Sequence, residues 1–242
     1  MKKVVLITGV SKGLGKTIAE KFRSEGFSVS GVSRSEPDFD LDLFIKGDIT
    51  EEPLRKRVIN ETIDRYGRLD ILINNAGIGL YDSWEDSYIA DIKKLFELNF
   101  FSVVDFTKKS LPYLKESKGC VINISSVAGK LYLPYMGAYC SSKFALNAFS
   151  DSLRAELKPY KVHILNLIVG RINTGFSDRA LGKKKPPETP FSGSAKEFAE
   201  VVYKGYINRK KEVWYPYWYR FFVVLAKLFP DVYEKISLKK WE

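Results

Sequence analysis

Tyr139 and Lys143 stand at the two ends of the stretch Tyr139-Cys140-Ser141-Ser142-Lys143, with Ser126 upstream. On a helix, residues at i and i+4 share a face, so a phenol and an ammonium would stand side by side. A nearby positive charge favours the phenolate and draws the phenol down from about 10, which lets Tyr139 give and take a proton near neutrality. Reduction of a carbonyl, or oxidation of an alcohol, needs such a general acid and base. Taken alone, the pair also fits two ordinary surface residues of a helix. The surrounding elements must decide between the two.

A second candidate lies at the opposite end of the chain. The apolar run Val4 to Thr8 passes into Thr8-Gly9-Val10-Ser11-Lys12-Gly13-Leu14-Gly15, and a helix is expected from near Lys16. Glycines let a backbone approach a pyrophosphate, and a helix N-terminus offers unpaired N–H groups and a positive dipole. The spacing is TGxxxGxG rather than GxGxxG. Glycines serving only the turn are the alternative, but a position between first strand and first helix favours dinucleotide binding. The end of the second strand sets the cofactor, since an acid there binds a ribose 2′-OH and a base a 2′-phosphate. Ser33 and Arg34 stand at that point, which favours NADP(H) and leaves NAD(H) possible, although the acidic stretch from Glu36 to Asp42 complicates the local field.

Short apolar runs alternate with amphipathic stretches along the chain: Val4 to Thr8, Ser28 to Ser33, Phe44 to Asp48, Leu69 to Asn74, Cys120 to Ile124 and Val162 to Val169. Continuous Val/Ile/Leu runs separated by helices predict a doubly wound parallel sheet, three layers in α/β/α order. Helices are expected over Lys16 to Glu25, Glu51 to Tyr66, Asp86 to Lys118, Ala138 to Leu157 and Ala195 to Asn208, with Pro112 as a kink or break. Residues 35–43 barely reach the length a parallel crossover needs, so a full helix there is doubtful.

With 242 residues, 45% of them apolar, the chain has the size of one α/β domain, and no linker or repeat divides it. Neither a signal peptide nor a membrane-length apolar run is evident, so a cytoplasmic protein is expected. Cys120 and Cys140 lack metal or redox spacing and read as reduced structural thiols, with Cys140 open to alkylation beside the site. The net charge of +10 rests on scattered lysines, with Lys183-Lys184-Lys185 their one run of three, and reads as solvated faces rather than a nucleic-acid surface. One histidine, His163, excludes a histidine-rich metal centre and is expected to pack in a strand. No metal is expected.

The glycine turn, Asn74-Asn75-Ala76-Gly77, Asn99 in Glu97-Leu98-Asn99, Ser126 in Ile124-Ser125-Ser126-Val127-Ala128-Gly129, and Tyr139 with Lys143 appear in this order within residues 1–175. In these motifs the chain resembles the classical short-chain dehydrogenase/reductase family. The resemblance implies that Tyr139 donates a proton to the substrate oxygen, that Ser126 hydrogen-bonds that oxygen, and that Lys143 lowers the phenol's pKa and binds the nicotinamide ribose. It implies that Asn99 holds a water linking Lys143 to solvent. Asn75, Ala76 and Gly77 would support the sheet beside the cofactor, and Asp48 with Ile49 would touch the adenine. Lys12, just before the second motif glycine, resembles the basic residue of NADP(H)-preferring members. After the sixth strand the family commonly has Pro-Gly; here Val169-Gly170-Arg171-Ile172-Asn173-Thr174 stands instead, so a looser turn is expected, with Ile172 and Thr174 beside the carboxamide and Gly170 also at the cofactor. A homodimer or homotetramer built on the helices carrying Asn99 and Tyr139 is also implied.

Leu131, Tyr132, Leu133, Tyr135 and Met136, with Phe176 and Leu181 in the loop of residues 171–193, predict an apolar pocket for a small ketone, aldehyde or secondary alcohol. The glycines and prolines of that loop, Pro190 among them, predict a lid. Arg171 reads as a surface arginine, with an anionic substrate group as the alternative. Within the variable segment 214–242, residues 214–229 are apolar nearly all round a helix, too short to span a bilayer. This segment is expected to pack on the pocket or a sister subunit, with peripheral membrane contact as the alternative. Two other functions fit parts of the sequence. A redox-silent NADP(H)-binding or sensing protein could use the same fold. A serine hydrolase could use Gly9-Val10-Ser11-Lys12-Gly13 as a nucleophile elbow, with His163 as base.

Overall fold

The computed structural model describes residues 2–187 and 192–241. Its strands are β1 (Val4–Thr8), β2 (Ser28–Ser33), β3 (Leu43–Lys46), β4 (Ile71–Asn74), β5 (Cys120–Ile124), β6 (His163–Val169) and β7 (Glu212–Tyr215). They form one sheet in the order β3-β2-β1-β4-β5-β6-β7, every pairing parallel. The helices are α1 (Gly13–Ser24), α2 (Glu52–Tyr66), α3 (Ile89–Phe96), α4 (Ser102–Glu116), α5 (Gly137–Glu156), α6 (Ala195–Ile207), α7 (Tyr219–Leu228) and α8 (Pro230–Lys239).

The apolar strands serve two cores because successive side chains point to opposite faces. Val5, Ile7, Ile71, Ile73, Ile122 and Leu165 pack with Ile18 and Phe22 of α1 and Phe198 and Val202 of α6. The alternate positions Leu6, Leu72, Val121 and Ile164 pack with Val58 of α2, Phe106 and Leu114 of α4, and Leu153 of α5. The expected doubly wound α/β sheet is the fold observed.

Three local expectations change and one is met. Helix α1 begins at Gly13, so the last two motif glycines lie inside its first turn. As the short crossover led one to expect, no helix forms between β2 and β3; the crossover is irregular, and Phe39 and Leu41 cover the core in its place. Pro112 neither breaks nor ends α4, for Pro112 and Lys108 are both exposed and the carbonyl that the ring deprives of a donor lies on the water side. The run from Trp214 is not one helix. Trp214 and Tyr215 belong to edge strand β7, paired with Ile168 and Val169, and the helical part divides at Pro230, which opens α8.

Candidate active site

A cavity of about 1210 Å³ runs along the carboxyl ends of the strands. It crosses the point between β1 and β4 where the strand order reverses, the crevice in which open α/β sheets bind ligands. Every residue expected to hold the cofactor lines it, from Gly9 to Gly15, through Ser33, Arg34, Asp48, Ile49 and residues 75–77, to Gly170, Ile172 and Thr174. Ser126, Tyr139 and Lys143 line it as well, whereas Asn99 is buried behind the wall.

At the glycine end, Gly9 has φ +73° and donates its N–H to the Val32 carbonyl at 2.7 Å, tying the turn to β2. A Cβ on Gly15 would stand 2.0 Å from the Gly9 carbonyl oxygen and 2.6 Å from Asn75 Nδ2. Glycine is therefore dictated there by close approach. Lys12 caps α1 without a side-chain bond, and the first turn contains no acid, which leaves donors and positive dipole turned to the cleft. Thr8 and Asn75 hold the neighbouring loop: Asn75 N–H and Ala76 N–H donate to Thr8 Oγ1 at 3.0 and 2.9 Å, and Asn75 Nδ2 donates to the Thr8 carbonyl at 2.8 Å.

Lys12 is exposed and the Arg34 side chain is 70% exposed, its guanidinium 3.8 Å from Asp48. The acids between β2 and β3 are mostly engaged elsewhere. Asp38 pairs with Lys16 at 2.7 Å, Glu36 with Lys46 at 3.3 Å, and Asp42 accepts the Val29 N–H at 2.8 Å. Asp48 accepts both the N–H and the hydroxyl of Thr50, at 3.0 and 2.9 Å.

At the chemical end, Tyr139 and Ser126 both line the cavity, and the Ser126 hydroxyl favours the ionised phenol. Ser126 Oγ also accepts the Ala128 N–H at 3.1 Å, which fixes the hydroxyl at the mouth of β5. Burial pushes the Tyr139 phenol well above its ordinary value; nearby Tyr81 works in the same direction and the Ser126 hydroxyl against it. Lys143 is 6% exposed, donates to the Ile124 carbonyl at 3.0 Å, and is pushed down to about 8 by burial. The expected lowering of the phenol by Lys143 is not found in this geometry, the Nζ standing 5.9 Å from the ring centre, and desolvation raises the phenol instead.

Asn99 sits in a π-helical turn, Glu97–Phe101, between α3 and α4, a distortion found often at functional sites. Its Oδ1 accepts the Ile78 N–H, and its Nδ2 donates to the Ile78 carbonyl, both at 2.9 Å, and to Ser142 Oγ at 3.2 Å. The side chain clamps the loop after β4 to α5.

Behind it runs a polar network that the sequence did not announce. Asn74 Nδ2 donates to Asn123 Oδ1 at 2.8 Å, Asn123 Nδ2 to Ser150 Oγ at 2.9 Å, and Asn166 Nδ2 to Asn147 Oδ1 at 2.8 Å. Ser125 Oγ donates to the same Asn147 oxygen at 2.6 Å. Amides in apolar runs give this network a sequence signal, but their partners are visible only in space.

The substrate side is walled by Leu133 and Met136, by Phe176, whose ring lies 6.0 Å from that of Tyr139, and by Tyr219, Phe222, Phe229 and Tyr233 of the α7–α8 hairpin. Leu131 is instead buried against α7, Tyr132 binds Glu234, Tyr135 packs on Trp241, and Leu181 bridges to Leu80. Arg171 donates to the Pro187 carbonyl at 2.6 Å. Val169 closes β6 opposite Tyr215, and Gly170 N–H donates to the Tyr215 carbonyl at 2.7 Å, so the turn without proline is held by the sheet rather than loosened. Tyr219 packs so tightly on Gly170 that a Cβ there would meet its ring at 2.0 Å. Residues 188–191 of the expected lid, Pro190 included, lie outside the described residues.

The hydrolase arrangement fails on geometry. Ser11 follows the carboxyl end of β1, while His163 lies at the amino end of β6, three strands away, its Nε2 2.9 Å from the Lys210 carbonyl. Cys140 is buried, its thiol pushed up to about 11 by burial, which makes alkylation slow. Among the described residues no cluster of metal-ligating side chains occurs.

A doubly wound sheet with a glycine cradle and a Ser-Tyr-Lys cluster along its carboxyl edge defines a dinucleotide-dependent class of α/β protein. Residues 3–185 match the family model for short chain dehydrogenases. The chain belongs to the classical short-chain dehydrogenase/reductase family. It is 36% identical over 178 residues to a 3-ketodihydrosphingosine reductase of Bacteroides thetaiotaomicron, covering 72% of this chain and 66%, just under two thirds, of that protein. It is 34% identical over 248 residues to the 11-beta-hydroxysteroid dehydrogenase-like 4A protein of Arabidopsis thaliana, covering 95% of this chain and 82% of that protein. Among solved structures, a short-chain dehydrogenase from Streptomyces avermitilis is 26% identical with TM-score 0.81, over 99% of this chain and 98% of that one. The fold also matches Burkholderia short chain dehydrogenases. The B. cenocepacia protein was solved with NADP (21% identity, TM-score 0.83, 98% of each chain), and the B. phymatum protein with NAD (21%, 0.85, 99% and 95%).

Proposed function

We propose that this protein is an NADP(H)-dependent oxidoreductase acting on an apolar ketone, aldehyde or secondary alcohol, with Tyr139 as general acid and base. The observation that carries the reading is that Ser126, Tyr139 and Lys143 line one continuous cavity with the glycine cradle. That cradle fits a dinucleotide, for its glycines line the cavity and its helix end has no side-chain cap. When bound, the nicotinamide supplies or accepts the hydride. In reduction Tyr139 gives its proton to the carbonyl oxygen, which Ser126 also hydrogen-bonds, and in oxidation Tyr139 takes the hydroxyl proton back. The phenolate formed on proton donation would be countered by Lys143, whose ammonium it favours in turn. Asn99 positions both, by fixing residue 78 and the turn of α5 that contains Ser142 and Lys143.

Lys12 and Arg34 support a preference for a 2′-phosphate, since two cations can clasp one phosphate and the nearby acids are mostly engaged by other groups. The largely apolar lining supports an apolar substrate. The relatives named for a keto sphingoid base and a hydroxysteroid agree with that class. Phe101 and Phe144, both exposed near Asn99 and Tyr139, support a homodimer or homotetramer on that face. Titration with NADPH and with NADH, read by nicotinamide fluorescence, should give the tighter binding for NADPH, followed by its oxidation when apolar ketones are added. Equal binding would overturn the NADP(H) preference, and binding of neither would overturn the reading as a whole.

A further inference from the structure

The α7–α8 hairpin has two unlike faces. Val223 and Ala226 of α7 and Tyr233 of α8 are buried against Val127, Leu131 and Ile168, and the Tyr233 hydroxyl donates to the Tyr132 carbonyl at 2.5 Å. The hairpin is therefore docked on the body of the protein. Its other face is apolar and open. Phe221, Val224 and Leu228, at i, i+3 and i+7 on α7, are 61%, 52% and 65% exposed, forming one stripe along the helix. Phe229, Val232 and Ile236 continue it, each more than half exposed, and these three also line the active-site cavity. The cavity mouth therefore opens through the apolar patch.

Charge identifies what covers such a face. Arg220, Lys227, Lys235, Lys239 and Lys240 surround the stripe, against Asp231 and Glu234 among the described residues of the hairpin, and Glu234 is engaged by the Tyr132 hydroxyl. A second copy on a two-fold axis would bring these cations against their own counterparts and seal the mouth. An anionic lipid surface is complementary to both the stripe and the cations. Among the described residues no helix is long and apolar enough to cross a membrane, and α7 and α8 have ten residues each, so the hairpin would lie in the interface plane. We infer that the α7–α8 hairpin docks on anionic lipid bilayers, turning the cavity mouth to the membrane so that an apolar substrate enters from the lipid. Docking stands on the hairpin alone; entry from the lipid rests on the proposed carbonyl chemistry.

Sedimentation of the full chain with phosphatidylcholine vesicles, with and without phosphatidylserine, tests the docking. Binding is expected to strengthen severalfold with phosphatidylserine and to weaken in high salt. The double variant Phe221→Glu and Leu228→Glu, neither residue lining the cavity, should bind anionic vesicles at least about tenfold more weakly. Its NADPH affinity and its turnover of a water-soluble ketone should remain, which separates docking from folding and from the proposed chemistry. Wild-type protein left in the supernatant would overturn the inference, as would equal binding by the double variant. An oligomer that the double substitution splits, with no vesicle binding by wild type, would assign the face to a second copy instead.

Discussion

The two ends of the cleft are built on opposite plans. The glycine end is held by backbone and short polar contacts in which a carbonyl, an amide and a missing Cβ fix positions to a fraction of an ångström, as in the Gly9, Gly15 and Asn75 contacts. The hairpin end is held by side-chain packing on one face, with Tyr219 against Gly170 and Tyr233 on the Tyr132 carbonyl, while the other face stays apolar and open. A pyrophosphate is the same in every dinucleotide and rewards a rigid cradle. An apolar substrate is recognised by shape, and a wall of aromatic and aliphatic side chains can change without disturbing the sheet. Between the ends lies the Ser126–Tyr139–Lys143 cluster, drawn from the turn after β5 and from α5 and bound to neither plan.

Four substitutions test this contrast, in descending size. Tyr139→Phe removes the proton donor alone and should lower kcat by at least about a thousandfold, with NADPH affinity unchanged in a fluorescence titration. Retained turnover would move the acid elsewhere. Lys143 comes second. Its folded value of about 8 lies below the ordinary 10.5, so the unfolded chain binds the extra proton between these values and stability rises with pH there. The cost of the buried charge is fully present below about pH 8, and is about 3 kcal/mol by that shift. Lys143→Met should therefore melt above wild type at pH 7, an advantage that disappears by pH 10.5; a constant difference across the range would refute the buried-charge account. Gly15→Ala forces a Cβ onto the Gly9 carbonyl and should cost about 1–3 kcal/mol of stability together with most of the dinucleotide affinity. Tyr233→Phe removes one hydroxyl bond from the hairpin and should cost about 1 kcal/mol in denaturant unfolding, leaving NADPH binding as in wild type. If Tyr233→Phe weakened NADPH as much as Gly15→Ala does, the two ends would not be separate constructions.

Much of the fold and the site could be read along the chain, because both are written in local signals. Runs such as Val4 to Thr8 and Cys120 to Ile124 carry the parallel sheet, and the glycine turn and the Tyr139, Lys143 spacing carry the two ends of the cleft. What escaped was set at a distance. The four residues of β7 are strand because Val169 and its neighbours offer an unpaired edge; alone, Trp214 and Tyr215 look like the start of the apolar helix that follows. Spacing placed Tyr139 beside Lys143, but the balance of their pKa values depends on how far the fold removes them from water, which no local pattern records. Asn147 gave no sign that it would join Ser125, Asn166 and Gly129.

The asparagines on the strands bear on how the chain finds its fold. Asn74, Asn123 and Asn166 stand opposite one another on β4, β5 and β6, in the register of the ladder itself. A slip of one residue would turn an amide into the other, aliphatic core, and a slip of two toward the amino ends would set it beside Leu72, Val121 or Ile164 with its hydrogen bonds unmade. Each such error costs about 1–3 kcal/mol per stranded amide. Parallel strands made only of valine, isoleucine and leucine would pair almost as well in a shifted alignment. The three amides act as a key that admits one alignment during assembly, and the carboxyl ends of the strands are brought level by it before any ligand arrives.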